Sequence, residues 1–350
     1  MQRISIIALA AFGLMSQALA YESRSPEAWE RTNAWRLSTT PDSPIHAAQL
    51  RQLVRAGDKR GTLAYLQSMD RDPQLPAPAR ERLYLEFVNA LRQEAPRTVD
   101  QAVLDYLFAY PVTVFVPDED HPRNSVPLFN VHSATAGLDN TWTREEAVVR
   151  GASLIQRGPR YLVNAYSGAN NEAERRGLLD ALSNASRPQR QAIAEASLDE
   201  VETHAELAEV AGNAALLNED SDLLEHLLAR THGNGVHRLL RSSALLFSRE
   251  QNARLLGAAL DSGSVETASL AIAELAPGLA GDASSMDRIF SLLGNPQLGS
   301  SAALALAAQA DPVIATRLEA LAAGEGQPLA AARAHLALQW MDDKLLREVK

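Results

Sequence analysis

Val236-His-Arg-Leu-Leu-Arg-Ser-Ser-Ala-Leu-Leu-Phe247 is the stretch that decides the fold. Val236, Leu239, Leu240, Ala244 and Phe247 fall at i, i+3, i+4, i+8 and i+11, so they share one face of a 3.6-residue helix. Leu298, Ser301, Ala302, Ala305 and Leu306 repeat the stripe with smaller side chains, which lets helices approach closely. Asp311-Pro312 sets an N-cap oxygen before a proline at the first helical position. Gly233, Gly235, Gly263, Gly281, Gly299 and Gly324 fall in or beside the connections between such stretches.

Working outward, helical periodicity appears at 222–230, 236–247, 251–261, 265–276, 286–294, 298–309, 313–323 and 328–342. Alternate starts are separated by 29, 35 and 27 residues in one series and by 29, 33 and 30 in the other. A two-helix unit recurring near thirty residues predicts a helical solenoid, because one such pair cannot bury its apolar face alone. Similar segments at 174–184, 188–197 and 203–216 extend the repeat region to 172–350. Val265-Glu-Thr-Ala-Ser-Leu-Ala-Ile-Ala-Glu-Leu275 and Pro328-Leu-Ala-Ala-Ala-Arg-Ala-His-Leu-Ala-Leu338 resemble the inner helices of HEAT repeats, and the resemblance covers about 222–342. It implies a protein-binding or scaffolding role and assigns no functional residue. The expected fold class is all-α: a right-handed solenoid of antiparallel helix pairs, preceded by a more aromatic helical part with a long irregular loop.

Composition supports the helices. The 350 residues include 60 Ala and 51 Leu but only 18 aromatics, a balance that disfavours an all-β fold. Fifteen of those aromatics lie at or before Tyr166, and only Phe247, Phe290 and Trp340 follow. Large rings therefore fill one core and close-set Ala and Leu the other. A boundary is expected at Ser167-Gly-Ala-Asn-Asn171, a run of turn formers, giving an N-terminal region of 21–171.

Within that region, 21–43 reads as an irregular or weakly helical lead-in, followed by helices near 45–56, 58–69, 78–93 and 98–109. Thr98-Val-Asp-Gln101 and Thr143-Arg-Glu-Glu146 have the form of capping boxes, the second opening a helix of about thirteen residues. Between them, 112–142 shows no helical period. Val112-Thr-Val-Phe-Val116 suits a short strand or an extended loop, and Pro117, Pro122 and Pro127 follow.

Residues 1–20 have the form of a secretory leader, with Arg3, an apolar Ile4–Met15 stretch and Ala18-Leu-Ala20 as the cleavage signal. The mature chain is then expected to begin at Tyr21, in the periplasm or outside the cell, without stable membrane insertion. Cysteine is absent, so disulfides and thiolate chemistry are excluded. A net charge of −10 disfavours nucleic acid, and the 30 Arg alternate with Asp and Glu on polar helix faces.

The motifs of serine hydrolases, zinc proteases, phosphate loops and dinucleotide folds are missing. Asp118, Glu119, Asp120, His121 and His132 gather carboxylates and imidazoles within fifteen residues. Such ligands suit Zn²⁺ or Mn²⁺, but their spacing fits no known frame, and the reading taken is a solvated acidic turn with neither metal nor cofactor. His204, His226, His232 and His237 are read as structural, and Tyr161 and Tyr166 with Arg157 and Arg160 as packing rather than a sugar groove. Asp118, Asp120, His121, Phe129, His132 and Trp142 are the candidate binding residues, because long ordered loops often carry function. For Phe129 and Trp142, an interface anchor and a core ring remain alternatives. The expected function is an exported, non-enzymatic scaffold for a protein or peptide partner. The alternative is an envelope-polymer hydrolase or lyase with its site in 112–166.

Overall fold

The computed structural model describes residues 28–121, 123–230, 235–309, 311–324 and 327–348. The leader expected at 1–20 and the turn at His232-Gly233 lie outside them. Among the described residues there are eighteen α-helices and one two-stranded sheet, so the chain is predominantly helical. Compactness divides it between Thr143 and Arg144, rather than at the turn formers where aromatic content falls.

In the first unit, α1 (Arg31–Leu37), α2 (Ser43–Arg55), α3 (Lys59–Asp70), α4 (Ala77–Leu91) and α5 (Gln101–Phe108) precede an antiparallel pair, β1 (Phe115–Pro117) and β2 (Ser125–Pro127). Helix α4 packs on α1 and α2, and α3 packs on α5. Leu83, Tyr84, Phe87, Val88 and Leu91 of α4 meet Leu104, Leu107, Leu138 and Trp142 in one buried core. The Thr98–Gln101 capping box does not form. Thr98 donates to the Ala95 carbonyl, Gln101 turns to Asp105, and Asp100 precedes the helix without a side-chain cap bond.

The expected loop 112–142 is too long, and this is the main correction. Helix α6 runs from Val131 to Arg157, so Thr143 lies inside it and caps nothing. Residues 131–143 are rich in Thr, Gly, Asn and Asp, which are poor helix formers. Tertiary burial outweighs that preference: Val131, Thr135, Leu138 and Trp142, at i, i+4, i+7 and i+11, are all buried. Asn130 Oδ1 accepts the Ser133 amide at 2.9 Å, and the Thr135 and Thr141 hydroxyls return to the carbonyls one turn back.

The second unit contains the rest of α6, then α7 (Pro159–Ser167), α8 (Glu172–Asp180), α9 (Arg187–Glu200) and α10 (Leu207–Asn218). Tyr166, Ala169 and Leu178 share one core, so Ser167–Asn171 joins helices of the same body. Gly177 brings α8 against α6: a Cβ there would collide with the Arg144 carbonyl oxygen. The chain continues through α11 (Ser221–Leu228), α12 (Gly235–Leu246), α13 (Arg249–Asp261), α14 (Val265–Leu275), α15 (Ala283–Ser291), α16 (Gly299–Gln309), α17 (Pro312–Ala322) and α18 (Pro328–Glu348).

These helices pack in two rows. Helices α10, α12, α14, α16 and α18 each touch the next, and α11, α13 and α15 do the same. One apolar core runs from Leu198 to Met341 between them. The Val236, Leu239, Leu240 and Phe247 stripe is buried in it, as are Leu298, Ala302, Ala305 and Leu306. Ser186 with Gln189 and Ser248 with Gln251 form capping boxes, and Asp311 accepts the Val313 amide ahead of α17.

Polar contacts mark the register of both rows. Arg238 of α12 bonds Glu209 of α10 at 2.6 Å, Arg241 of α12 bonds Glu274 of α14 at 3.0 Å, and Ser301 of α16 bonds Ser269 of α14 at 3.2 Å. In the other row Arg254 bonds Asp222 at 2.8 Å and Arg288 bonds Asp261, each reaching back one helix. Arg317 of α17 reaches Asp287 of α15 at 2.6 Å in the same sense. The hydrogen-bonded pairs are separated by 27 to 33 residues, close to the period read from the sequence.

Candidate functional site

The β1–β2 hairpin carries the acidic cluster at its tip. Asp118 Oδ1 accepts the Asp120 amide at 3.0 Å, while the Asp118 amide bonds the Asn124 carbonyl and the Asn124 amide that of His121. Glu119 pairs with Arg31 of α1 at 3.2 Å, and His121 is exposed. His132 has other partners: its Nδ1 donates to the Phe108 carbonyl at 2.9 Å and its ring lies 4.0 Å from the Phe108 ring. No group of three potential metal ligands forms among the described residues.

Phe129 and Trp142 are core rings, 2% and 1% exposed. Rings enclosed in this way favour the core alternative over an interface anchor, because they offer little area to a partner. Phe129 stands at the base of the hairpin, edge-on to Trp35 at 5.4 Å. Trp35 is the half-exposed ring there, with the Arg82 guanidinium 5.7 Å from its centroid. Only folding distinguishes Trp35 from Phe129, since both are aromatic residues in segments of weak periodicity.

Beneath the hairpin, Glu81 of α4 is fully enclosed. Its Oε1 accepts the Thr113 amide at 2.6 Å, the Thr113 hydroxyl at 2.9 Å and the Val114 amide at 3.2 Å. Burial pushes its carboxyl above the usual carboxylate range, and the three hydrogen bonds offset only part of that cost. Glu81 thus orders the strand entry that positions the hairpin. Nearby, Asp70 accepts from the Tyr84 hydroxyl at 2.9 Å and from Tyr106, while Arg80 donates to Tyr110 at 3.0 Å. Burial raises all three phenols, so the cluster is a neutral-phenol lock between α3, α4 and α5.

The first unit has a groove of about 320 Å³ between α5 and α6, lined by Asp105, Asp139, Gln101, Asn140 and the half-exposed Phe108. Arg97 answers Asp139 at 2.7 Å. The second unit has two larger grooves lined with arginine. One, about 560 Å³, lies along α13 and α15 and holds Arg249, Arg254 and Arg288, with Glu250 and Asp282 beside them. The other, about 470 Å³, is lined by Arg144 of α6, Arg176 of α8 and Arg238 of α12, over Leu179 and Leu217.

Tyr166, read as a packing residue, is buried and donates its hydroxyl to Glu209 at 2.7 Å; burial, then that carboxylate, raises its phenol. Tyr161 lies beneath Arg157 at 4.1 Å. His237 Nε2 is 2.7 Å from Glu274, and the Arg241 hydrogen bond, with His237, holds that carboxyl below its usual range. No described helix is long and apolar enough to cross a membrane. Comparison with known protein families, curated proteins and solved structures returns no match.

Proposed function

We propose that the chain is an exported, non-enzymatic helical-repeat protein that binds a protein or peptide in the periplasm or cell envelope. In this reading residues 1–20 are removed after Ala20, and the second unit is a right-handed solenoid of antiparallel helix pairs. The observation that carries it is the two-row packing, in which alternate helices touch in register every 27 to 33 residues. Packing of this kind adds surface with each repeat and offers an extended face to a partner. The acidic hairpin tip supports binding less than it would have as a convergent site, since its carboxylates serve backbone amides and Arg31.

The test uses the cleaved chain as bait in the envelope fraction of its native host, followed by titration of each captured protein in purified form. Saturable binding of a purified partner is the expected result. Turnover of an envelope polymer by the purified chain would overturn the non-enzymatic reading. Export is tested separately: mature protein should begin at Tyr21, and an intact Met1 would refute cleavage.

A further inference from the structure

Asp105 and Phe108 stand at i and i+3 on α5, side by side on one helix face, where Cβ atoms lie about 5–6 Å apart. Both line the groove of about 320 Å³ between α5 and α6, which lies wholly within the first unit. Phe108 is 47% exposed although it is apolar. His132 of α6 backs its ring at 4.0 Å and donates to its carbonyl, so the ring is held in place outside the core. It therefore presents a fixed π surface to solvent, and the face of such a ring is its electron-rich side.

The electrostatics of the groove are one-sided. Among the described residues, no Lys, Arg or His lines it. Asp139 is neutralised by Arg97 at 2.7 Å and adds no net charge. Asp105 has no such partner among the described residues: its Oδ1 accepts the neutral Gln101 amide at 3.0 Å, and the residue is exposed. One uncompensated carboxylate beside one open ring is matched by a cation with a flat face. A guanidinium meets both at once, stacking on the ring while its N–H edge donates to the carboxylate. An ammonium has no plane to stack. The net charge of −10 also favours a cation at long range. At physiological salt the Debye length of roughly 8 Å screens that attraction, so discrimination rests on contacts within the groove.

We propose that this groove docks an arginine-bearing segment of a partner protein, its guanidinium on Phe108 and Asp105 and its backbone against the exposed amide of Asn140. This rests on the peptide-binding reading and supplies the chemistry of the partner. The test is fluorescence anisotropy on the full mature chain at physiological salt, with labelled Ala-Arg-Ala-Arg-Ala and its citrulline counterpart, which keeps the shape and loses the charge. The arginine peptide should bind, and the citrulline one should bind about tenfold more weakly or worse, the value of one charge-assisted hydrogen bond. Asp105→Asn should cost the same factor, and Phe108→Leu about threefold, the value of an exposed cation–π contact. Both residues are exposed, so the melting temperature should stay near that of the parent. Glu319→Gln, which removes an exposed carboxylate of α17, should leave binding unchanged.

Equal binding of the citrulline peptide, no binding of the arginine one, or indifference to both Asp105→Asn and Phe108→Leu would refute the groove. Equal losses in Glu319→Gln and Asp105→Asn would refute it in favour of diffuse attraction to the net charge. Displacement of the peptide by equimolar argininamide would refute the segment in favour of a small cation. A purified partner that ignores Asp105→Asn and Phe108→Leu would refute the groove while leaving the wider binding reading in place.

Discussion

Glu81 shows how one side chain can organise a segment distant in sequence. It is buried, ties Thr113 and Val114 to α4, and has its carboxyl raised above the ordinary value of 4.5. The folded state therefore binds this proton more tightly than the unfolded chain. The resulting stability is fully present below the unfolded value and is lost as pH rises through the raised folded one. Glu81→Gln keeps an acceptor for Thr113 and removes the titration, so it should gain on the parent between pH 4 and pH 7. Urea unfolding of both proteins at the two pH values measures this, and a parent that gains on the variant would contradict it. Phe129→Ala removes an enclosed ring and should cost roughly 3 kcal/mol, read as a lower melting temperature. An unchanged melting temperature would return Phe129 to the surface. Neither role was legible in the sequence, because Glu81 meets Thr113 32 residues away and Phe129 packs edge-on against Trp35, which is distant in sequence.

At the scale of elements, α6 separates propensity from packing. Its first turns contain residues that favour turns, and they are helical because Val131, Thr135, Leu138 and Trp142 bury one stripe. Asn130→Ala removes the oxygen that receives the Ser133 amide and should cost about 1 kcal/mol in denaturant unfolding. A null effect would show that the helix start is held by packing alone. Gly177→Ala puts a methyl against the Arg144 carbonyl and the Ala147 methyl, neither of which is the end of a flexible chain. Overpacking of this kind costs ~1–3 kcal/mol, so its urea midpoint should fall. A midpoint equal to the parent's would mean that α6 and α8 can separate without cost. Most helices after 172 were legible within a few residues, since they carry an apolar stripe of their own. The start of α6 was not, because its stripe is filled by Thr as well as by apolar residues.

Across the second unit, helices pack against those next to them in sequence and next to them in their row, so a local lesion should stay local. Leu240→Asp places a carboxylate in the fully buried stripe of α12 and should cost at least ~3 kcal/mol through desolvation or a forced pKa shift. Hydrogen exchange should show lost protection concentrated in α10, α12 and α14, fading toward α18. Uniform loss through Trp340 would indicate one cooperative body instead of stacked repeats. The thirty-residue period, the Ala/Leu packing and the absence of cysteine chemistry were determined by the sequence alone. Such features depend on spacing within one helix or on residue type, which no folding step alters. Only the tertiary structure decided that Phe129 and Trp142 are core, that Glu81 holds the hairpin, and that Arg144, Arg176 and Arg238 line one groove. These residues lie tens of positions apart on elements with no mutual sequence signal. Packing of the helices alone determines which side chains meet and which are left exposed.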